Sequence, residues 1–231
     1  MTTVGIHQPN YFPWLGFFDK IAKSDVFVML DDVQFQKTGG NWTNRVRMLS
    51  PKGASWETVP VDRSGSGFRR VNEVAFKDYE EWRSKFLRSV SHRYGGFPFV
   101  LETMEMIEEI VELPTRHLAD FNLRAIKKLC ETVGIEFQIK LSSSFSLRSS
   151  STSRLCEIVK SVGGDTYLIG SGSAGYVDME VFERNGVRVL PQRFSHPSYL
   201  QIGRQEFVEG LSIIDTLMCI GRSGVGKFIR A

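Results

Sequence analysis

Gly5-Ile6-His7-Gln8-Pro9-Asn10-Tyr11-Phe12-Pro13-Trp14-Leu15-Gly16 joins the end of an apolar strand to a dense set of polar, aromatic and turn-forming residues. Thr3, Val4 and Ile6 suit a strand, whereas Pro9 and Pro13 forbid its continuation and set extended or turn geometry around themselves. The chain must therefore leave the sheet at His7. In an open α/β sheet, ligands bind in the crevice beyond the carboxyl ends of the strands, so a histidine there is well placed for proton transfer. A turn with Tyr11, Phe12 and Trp14 in the core would explain His7 equally well if it stood alone. The donors and acceptors of Gln8, Asn10 and Tyr11 beside it favour a site.

The neighbouring segments extend this start into an α/β pattern. Leu15 to Ala22 has helical spacing, with Phe18, Ile21 and Ala22 on one face, and Val26 to Leu30 is a second apolar run. Strand, helix and strand would form a parallel unit that ends in Asp31 and Asp32, on the same sheet edge as His7. Paired acids there could orient a histidine or hold an ammonium group; a metal is less favoured, because no second cluster of ligands accompanies them. A solvated turn is the plain alternative. From Gln36 to Arg47 the chain is polar, and Lys37, Gly39, Gly40, Asn41, Trp42 and Arg45 read as a binding loop whose cations could hold a diphosphate. Arg45 to Leu49 and Trp56 to Val61 form a hairpin through Ser50-Pro51-Lys52-Gly53. The glycines and serines between Arg63 and Arg70 suggest a lid around Phe68.

The middle of the chain, about 78–134, is helical: Tyr79 to Val90, Phe99 to Val111 and Thr115 to Thr132 carry apolar residues at three- and four-residue spacing. His92 and His117 fall near helix ends and read as structural. Phe137 to Leu141 is a further strand. Ser151 to Ser153 then cap a helix that leads to the strand Thr166 to Ile169. That strand runs into Gly170-Ser171-Gly172, where backbone N–H groups could approach an anion. Val187 to Leu190 is the last strand, and beyond it stand His196 and Tyr199, with His196 expected to face the same pocket as His7. Leu211 to Cys219 closes the pattern as a helix capped by Ser212. Gly221 to Lys227 resembles a phosphate-binding loop only superficially, because Phe228 stands where Ser or Thr is required and no strand precedes it.

The 231 residues, 42% of them hydrophobic, are enough for one large core. The expected architecture is one α/β domain over 1–231: a Rossmann-like, mostly parallel sheet with flanking helices, a β-hairpin insertion and the helical middle section. Lys and Arg number 29 against 26 Asp and Glu, a balance that provides neither a nucleic-acid stripe nor a polybasic membrane arm. Cys130, Cys156 and Cys219 are widely spaced inside apolar patterns and read as core thiols, with no CxxC metal motif. No apolar run is long enough to span a bilayer, so a cytoplasmic protein is expected and the glycosylation pattern Asn41-Trp42-Thr43 is coincidental.

Three segments together resemble the WbqC-like family of bacterial proteins. They are His7 to Ile21; Tyr167-Leu168-Ile169-Gly170 with Tyr176-Val177-Asp178; and His196-Pro197-Ser198-Tyr199 with Leu211 to Asp215. The resemblance implies a role in making bacterial surface polysaccharides such as O-antigen, by acyl or aminoacyl (for example glycyl) transfer to the amine of a nucleotide-linked amino sugar. Such chemistry needs a base, oxyanion donors and groups for the diphosphate. His7 suits the base; Asn10 or Tyr11 the donor; Lys37, Arg45 and the loop at Gly170 and Ser171 the phosphate; and Asp31 or Asp32 an aminoacyl ammonium. Gln8, Asn41, Trp42 and Tyr199 complete the expected substrate contacts. No bound cofactor or metal is expected; the co-substrate would be an acyl or aminoacyl thioester of coenzyme A or of an acyl carrier protein. A nucleotidyltransferase-like enzyme is the alternative, weakened because Asn10 stands where its second histidine would fall. A non-catalytic sugar-nucleotide binding protein is the other.

Overall fold

A computed structural model describes residues 1–36, 42–64, 68–170, 172 and 177–230. In chain order the elements are β1 (Thr3–His7), α1 (Leu15–Ala22), β2 (Val26–Met29), the hairpin β3 (Arg45–Ser50) and β4 (Gly53–Thr58), α2 (Tyr79–Tyr94), α3 (Val100–Glu112), α4 (Leu118–Val133), β5 (Ile139–Leu141), α5 (Ser151–Ser161), β6 (Thr166–Ile169), α6 (Met179–Arg184), β7 (Arg188–Pro191) and α7 (Ile213–Arg230). The fold is mixed α/β. Five strands make one parallel sheet in the order β5-β2-β1-β6-β7, and β3 with β4 form a separate antiparallel pair. The chain builds outward from β1 through β2 and β5, then returns to the other side of β1 for β6 and β7. The point of reversal, between β1 and β6, is where open α/β sheets bind ligands.

Side-chain alternation divides the core into two. Val4, Ile6, Val26, Val28, Tyr167 and Ile169 face Cys156, Ile158 and Val159 of α5 and Phe182 of α6. Phe27 and Met29, one residue out of phase with Val26 and Val28, face Phe17, Phe18 and Ile21 of α1 and the larger cluster that continues into α2, α3, α4 and α7. All three cysteines are buried thiols. Among the described residues no helix is long and apolar enough to cross a membrane.

Two boundaries differ from the sequence reading. Helix α7 runs past Cys219 to Arg230 because Gly221, at φ 66°, absorbs a kink that no side-chain-bearing residue adopts readily, after which Val225 and Ile229 return to the core. The start of α5 has no side-chain cap from Ser150; Glu157, nearly two turns inside, instead reaches back to accept from the N–H groups of Arg148 and Ser149 and from the Ser149 hydroxyl. Ser151 to Ser153, read as the cap, therefore lie inside the helix, and the carboxylate of Glu157 engages the N–H groups that precede it.

Candidate functional site

Beyond His7 the chain is fixed by backbone and side-chain bonds from distant elements. Asn122 of α4, fully buried, donates from Nδ2 to the carbonyls of Pro9 and Thr43, both at 2.8 Å. Ser212, preceding α7, donates from its hydroxyl to the Phe12 carbonyl at 2.8 Å while accepting from Ile214 N–H, so the same oxygen caps α7 and ties down the loop. Phe12 itself sits at φ 38°, an unfavourable backbone setting for a side chain with a Cβ, held by this packing.

A cavity of about 400 Å³ opens at the carboxyl end of β1, lined by Ile6, His7 and Gln8 of the opening motif, Leu30 and Val33 after β2, Tyr167 of β6, and Ser151, Thr152 and Arg154 at the start of α5. This is the switch point of the sheet. The His7 ring is half-buried, edge-on to Phe17 at 5.0 Å and Trp14 at 6.0 Å. Loss of solvent and the nearby Lys20 ammonium lower its pKa to about 4, so the imidazole is neutral at physiological pH. Its Nδ1 lies 3.0 Å from the Gln8 carbonyl, which can only accept; Nδ1 therefore carries the proton and Nε2 keeps the lone pair. The Gln8 side-chain oxygen accepts from the Thr43 hydroxyl at 3.3 Å, leaving its amide N–H groups as donors.

Lys20 was invisible as a site residue in the sequence, where a lysine on a two-turn helix reads as solvated. Strands β1 and β2 pair as far as His7 with Met29, but β1 and β6 pair only as far as Gly5 with Leu168. His7 O accepts from Leu30 N on the β2 side, so the carbonyl of Ile6 points into the gap toward β6. There it takes a hydrogen bond from Lys20 Nζ at 2.8 Å.

The paired acids are at the expected edge with other tasks. Asp31 is buried and accepts from Ser143 N at 2.9 Å, from the Ser143 hydroxyl and from Asn72, so the turn after β5 is tied to the end of β2. Asp32 accepts from the Ser142 hydroxyl and from Arg154 at 2.5 Å; despite the cost of desolvation, these bonds hold its pKa below the usual value. Thus Asp32 reaches the cavity only through Arg154, and the partners of both carboxylates are these groups instead of His7.

Several expected contacts lie elsewhere. Tyr11 is fully buried among Phe12, Trp82, Phe86 and Phe121, where burial pushes its hydroxyl pKa well up, and Asn10 is also buried; neither lines the cavity. Trp42 packs between Trp14, tilted against it, and Trp56, edge-on, with Arg45 4.2 Å over the Trp56 ring, on the hairpin side. Tyr199 donates to the buried carboxylate of Asp215 at 2.7 Å and accepts from Thr216, a structural clamp onto α7. His196 follows a strand parallel to β1, as expected, but its ring packs on Phe194 and it is absent from the residues that line the His7 cavity. Gly170 ends β6 beside Gln192. Lys37, Asn41 and Ser171 lie outside the described residues, as do Gly65 to Gly67 of the expected lid. Among the described residues no group of three His, Cys, Asp or Glu side chains is placed to hold a metal ion.

The model of the WbqC-like protein family matches residues 8–226. A relative named Uncharacterized protein Rv1507c, from Mycobacterium tuberculosis, is 30% identical over 224 residues, covering 96% of this chain and 95% of its own. No solved structure matches. With a family match over nearly its whole length and a relative that aligns end to end, the chain belongs to the WbqC-like protein family.

Proposed function

We propose that this protein is a transferase that forms an amide on the amino group of a nucleotide-linked amino sugar, in the making of bacterial surface polysaccharide such as O-antigen. The acyl or aminoacyl group would come from a thioester of coenzyme A or of a carrier protein. One observation carries the reading: a neutral imidazole of fixed tautomer, His7, lines a cavity at the sheet's switch point, next to the Gln8 amide. In the proposed step the sugar amine attacks the thioester carbonyl, a C–N bond forms and the carbonyl oxygen becomes an oxyanion. His7 Nε2 accepts the proton shed by the attacking nitrogen and the Gln8 amide donates to the oxyanion. Collapse then breaks the C–S bond, and the departing thiolate takes the proton back from His7. An imidazole of such low basicity gains its proton only as negative charge builds beside it.

That same low basicity favours one second reading, a sugar-nucleotide binding protein without catalysis. Mass spectrometry separates them: nucleotide-linked amino sugars incubated with a panel of acyl and aminoacyl thioesters should gain the mass of one acyl group. His7→Asn should lower that turnover about 100-fold with the fold intact. Absence of any mass gain across the panel would sink the transferase reading, and release of pyrophosphate from nucleoside triphosphates would point to nucleotidyl transfer.

A further inference from the structure

Lys20 is 3% exposed, and its Nζ has the Ile6 carbonyl as a hydrogen-bond partner, with the Tyr167 ring 5.6 Å away. Among the described residues no carboxylate lies within ion-pair distance of it. The nearest acid on its own helix, Asp19, is engaged by Lys23 at 2.7 Å and by Gln192 at 2.8 Å. From β1 the titratable neighbour is His7, held neutral; from β6 it is Tyr167, whose hydroxyl burial keeps protonated; from α7 the buried acid Asp215 is taken by Tyr199 and Gln201. A buried ammonium with no counter-ion is costly, and burial lowers the Lys20 pKa to about 7. A neutral donor would satisfy the Ile6 carbonyl at far lower cost.

The cavity in front of Ile6 has the complementary character. Its lining includes no Asp or Glu and includes Arg154, whose Nη2 is held by Asp32 at 2.5 Å while its buried Nε has no hydrogen-bond partner. Ser151 and Thr152 present the first turn of α5, an eleven-residue helix, whose leading N–H groups have no intrahelical acceptor. We propose that this crevice is a diphosphate seat, in which the ligand's phosphates bind against Arg154 and the first turn of α5 and supply the counter-ion that Lys20 lacks. The seat deepens the reading of the same cavity given above, and it requires only that the cavity binds its ligand there, whatever reaction follows. Arg45, 4.2 Å over the Trp56 ring, does not line this cavity.

The test is isothermal titration of the wild-type protein with pyrophosphate, uridine diphosphate and coenzyme A, each in two buffers of different ionisation enthalpy at pH 8. A phosphate near Lys20 raises its pKa, so a lysine largely neutral in the free protein takes up a proton on binding; His7, titrating near pH 4, contributes nothing at that pH. The expected result is binding of at least one probe with proton uptake. Lys20→Met should bind that probe about tenfold more weakly, without the uptake, while melting no lower than wild type. Uridine diphosphate as the tightest probe identifies the nucleotide sugar as the source of the phosphates; coenzyme A as the tightest identifies the thioester. The proposal is overturned if none of the three binds, if the wild type binds without proton uptake, or if Lys20→Met binds with the same affinity and uptake. If Lys20→Met fails to fold, the wild-type proton count alone decides. Diphosphate binding with no acyl transfer would refute the proposed reaction and keep the seat, whereas transfer by Lys20→Met at unchanged KM would do the reverse.

Discussion

Replacing Asn122 by Ala should loosen the opening motif from beneath. Its Nδ2 bridges the carbonyls of Pro9 and Thr43 at 2.8 Å each, inside a core where Asn122 and Thr43 are fully buried. Truncation removes both donors at once and leaves two carbonyls without this partner; at about 1–3 kcal/mol for each group, partly offset by relaxation, the loss should be about 2–5 kcal/mol. Urea unfolding followed by tryptophan fluorescence reads this directly, because Trp14 and Trp42 flank the two tethered segments. With a slope of about 3 kcal/mol per molar urea, the midpoint should fall by about 1 M at unchanged slope. Asn122→Asp is the control: it keeps the shape but turns a carboxylate toward two carbonyls, so it must destabilise at least as much as Ala. A midpoint shift below about 0.3 M for Ala, or an Asp variant milder than Ala, would show that packing and not these bonds holds the loop.

Tyr199→Phe removes a donor to the buried Asp215 carboxylate at 2.7 Å and should cost about 1–3 kcal/mol in the same unfolding assay; no measurable loss would mean that Gln201 and Tyr94 satisfy the acid without it. Stability should also depend on pH through His7. Its folded-state pKa of about 4 lies below the ordinary value of 6.5, so the unfolded chain binds more protons between these limits. The stabilisation is therefore complete above about pH 6.5 and is lost as pH falls toward 4, by up to about 3 kcal/mol. Unfolding curves for wild type and His7→Asn should diverge over that window and run parallel above it; parallel curves throughout would show that the ring charges freely in the folded protein.

The sequence disclosed what local chemistry dictates. Pro9 and Pro13 end β1 at His7 whatever packs around them, and Pro51 with Gly53 turns the hairpin. Short apolar runs bounded by turn residues were likewise enough to mark the strands of the parallel sheet. Tyr11 was misjudged because a phenol in a polar motif looks available; the rings of Trp82, Phe86 and Phe121, brought by α2 and α4, decide that it points inward. His196 was aligned with His7 by a rule about parallel strand ends; its ring packs edge-on to Phe194 at 5.1 Å and is not among the residues that line the His7 cavity. Val225 and Ile229 carried a helical signal beyond Gly221 that the glycine-rich composition obscured.

Lys20 shows why the remaining part was beyond the reach of pattern reading. Its burial depends on β1 losing β6 as a partner one step after Gly5, and that depends on the order in which five strands assemble. Reversal of the winding direction at β1 is what opens the gap; the unpaired Ile6 carbonyl is its first consequence, and a lysine long enough to reach from α1 is the second. The same reversal brings Arg154 and the start of α5 over the end of β1. A polar strand end, an uncompensated ammonium and a helix start therefore meet at one place through a single topological event. Any ligand that enters must answer the charge this event leaves behind, and a chain engineered to re-pair Ile6 with β6 should lose the crevice and the low Lys20 pKa together.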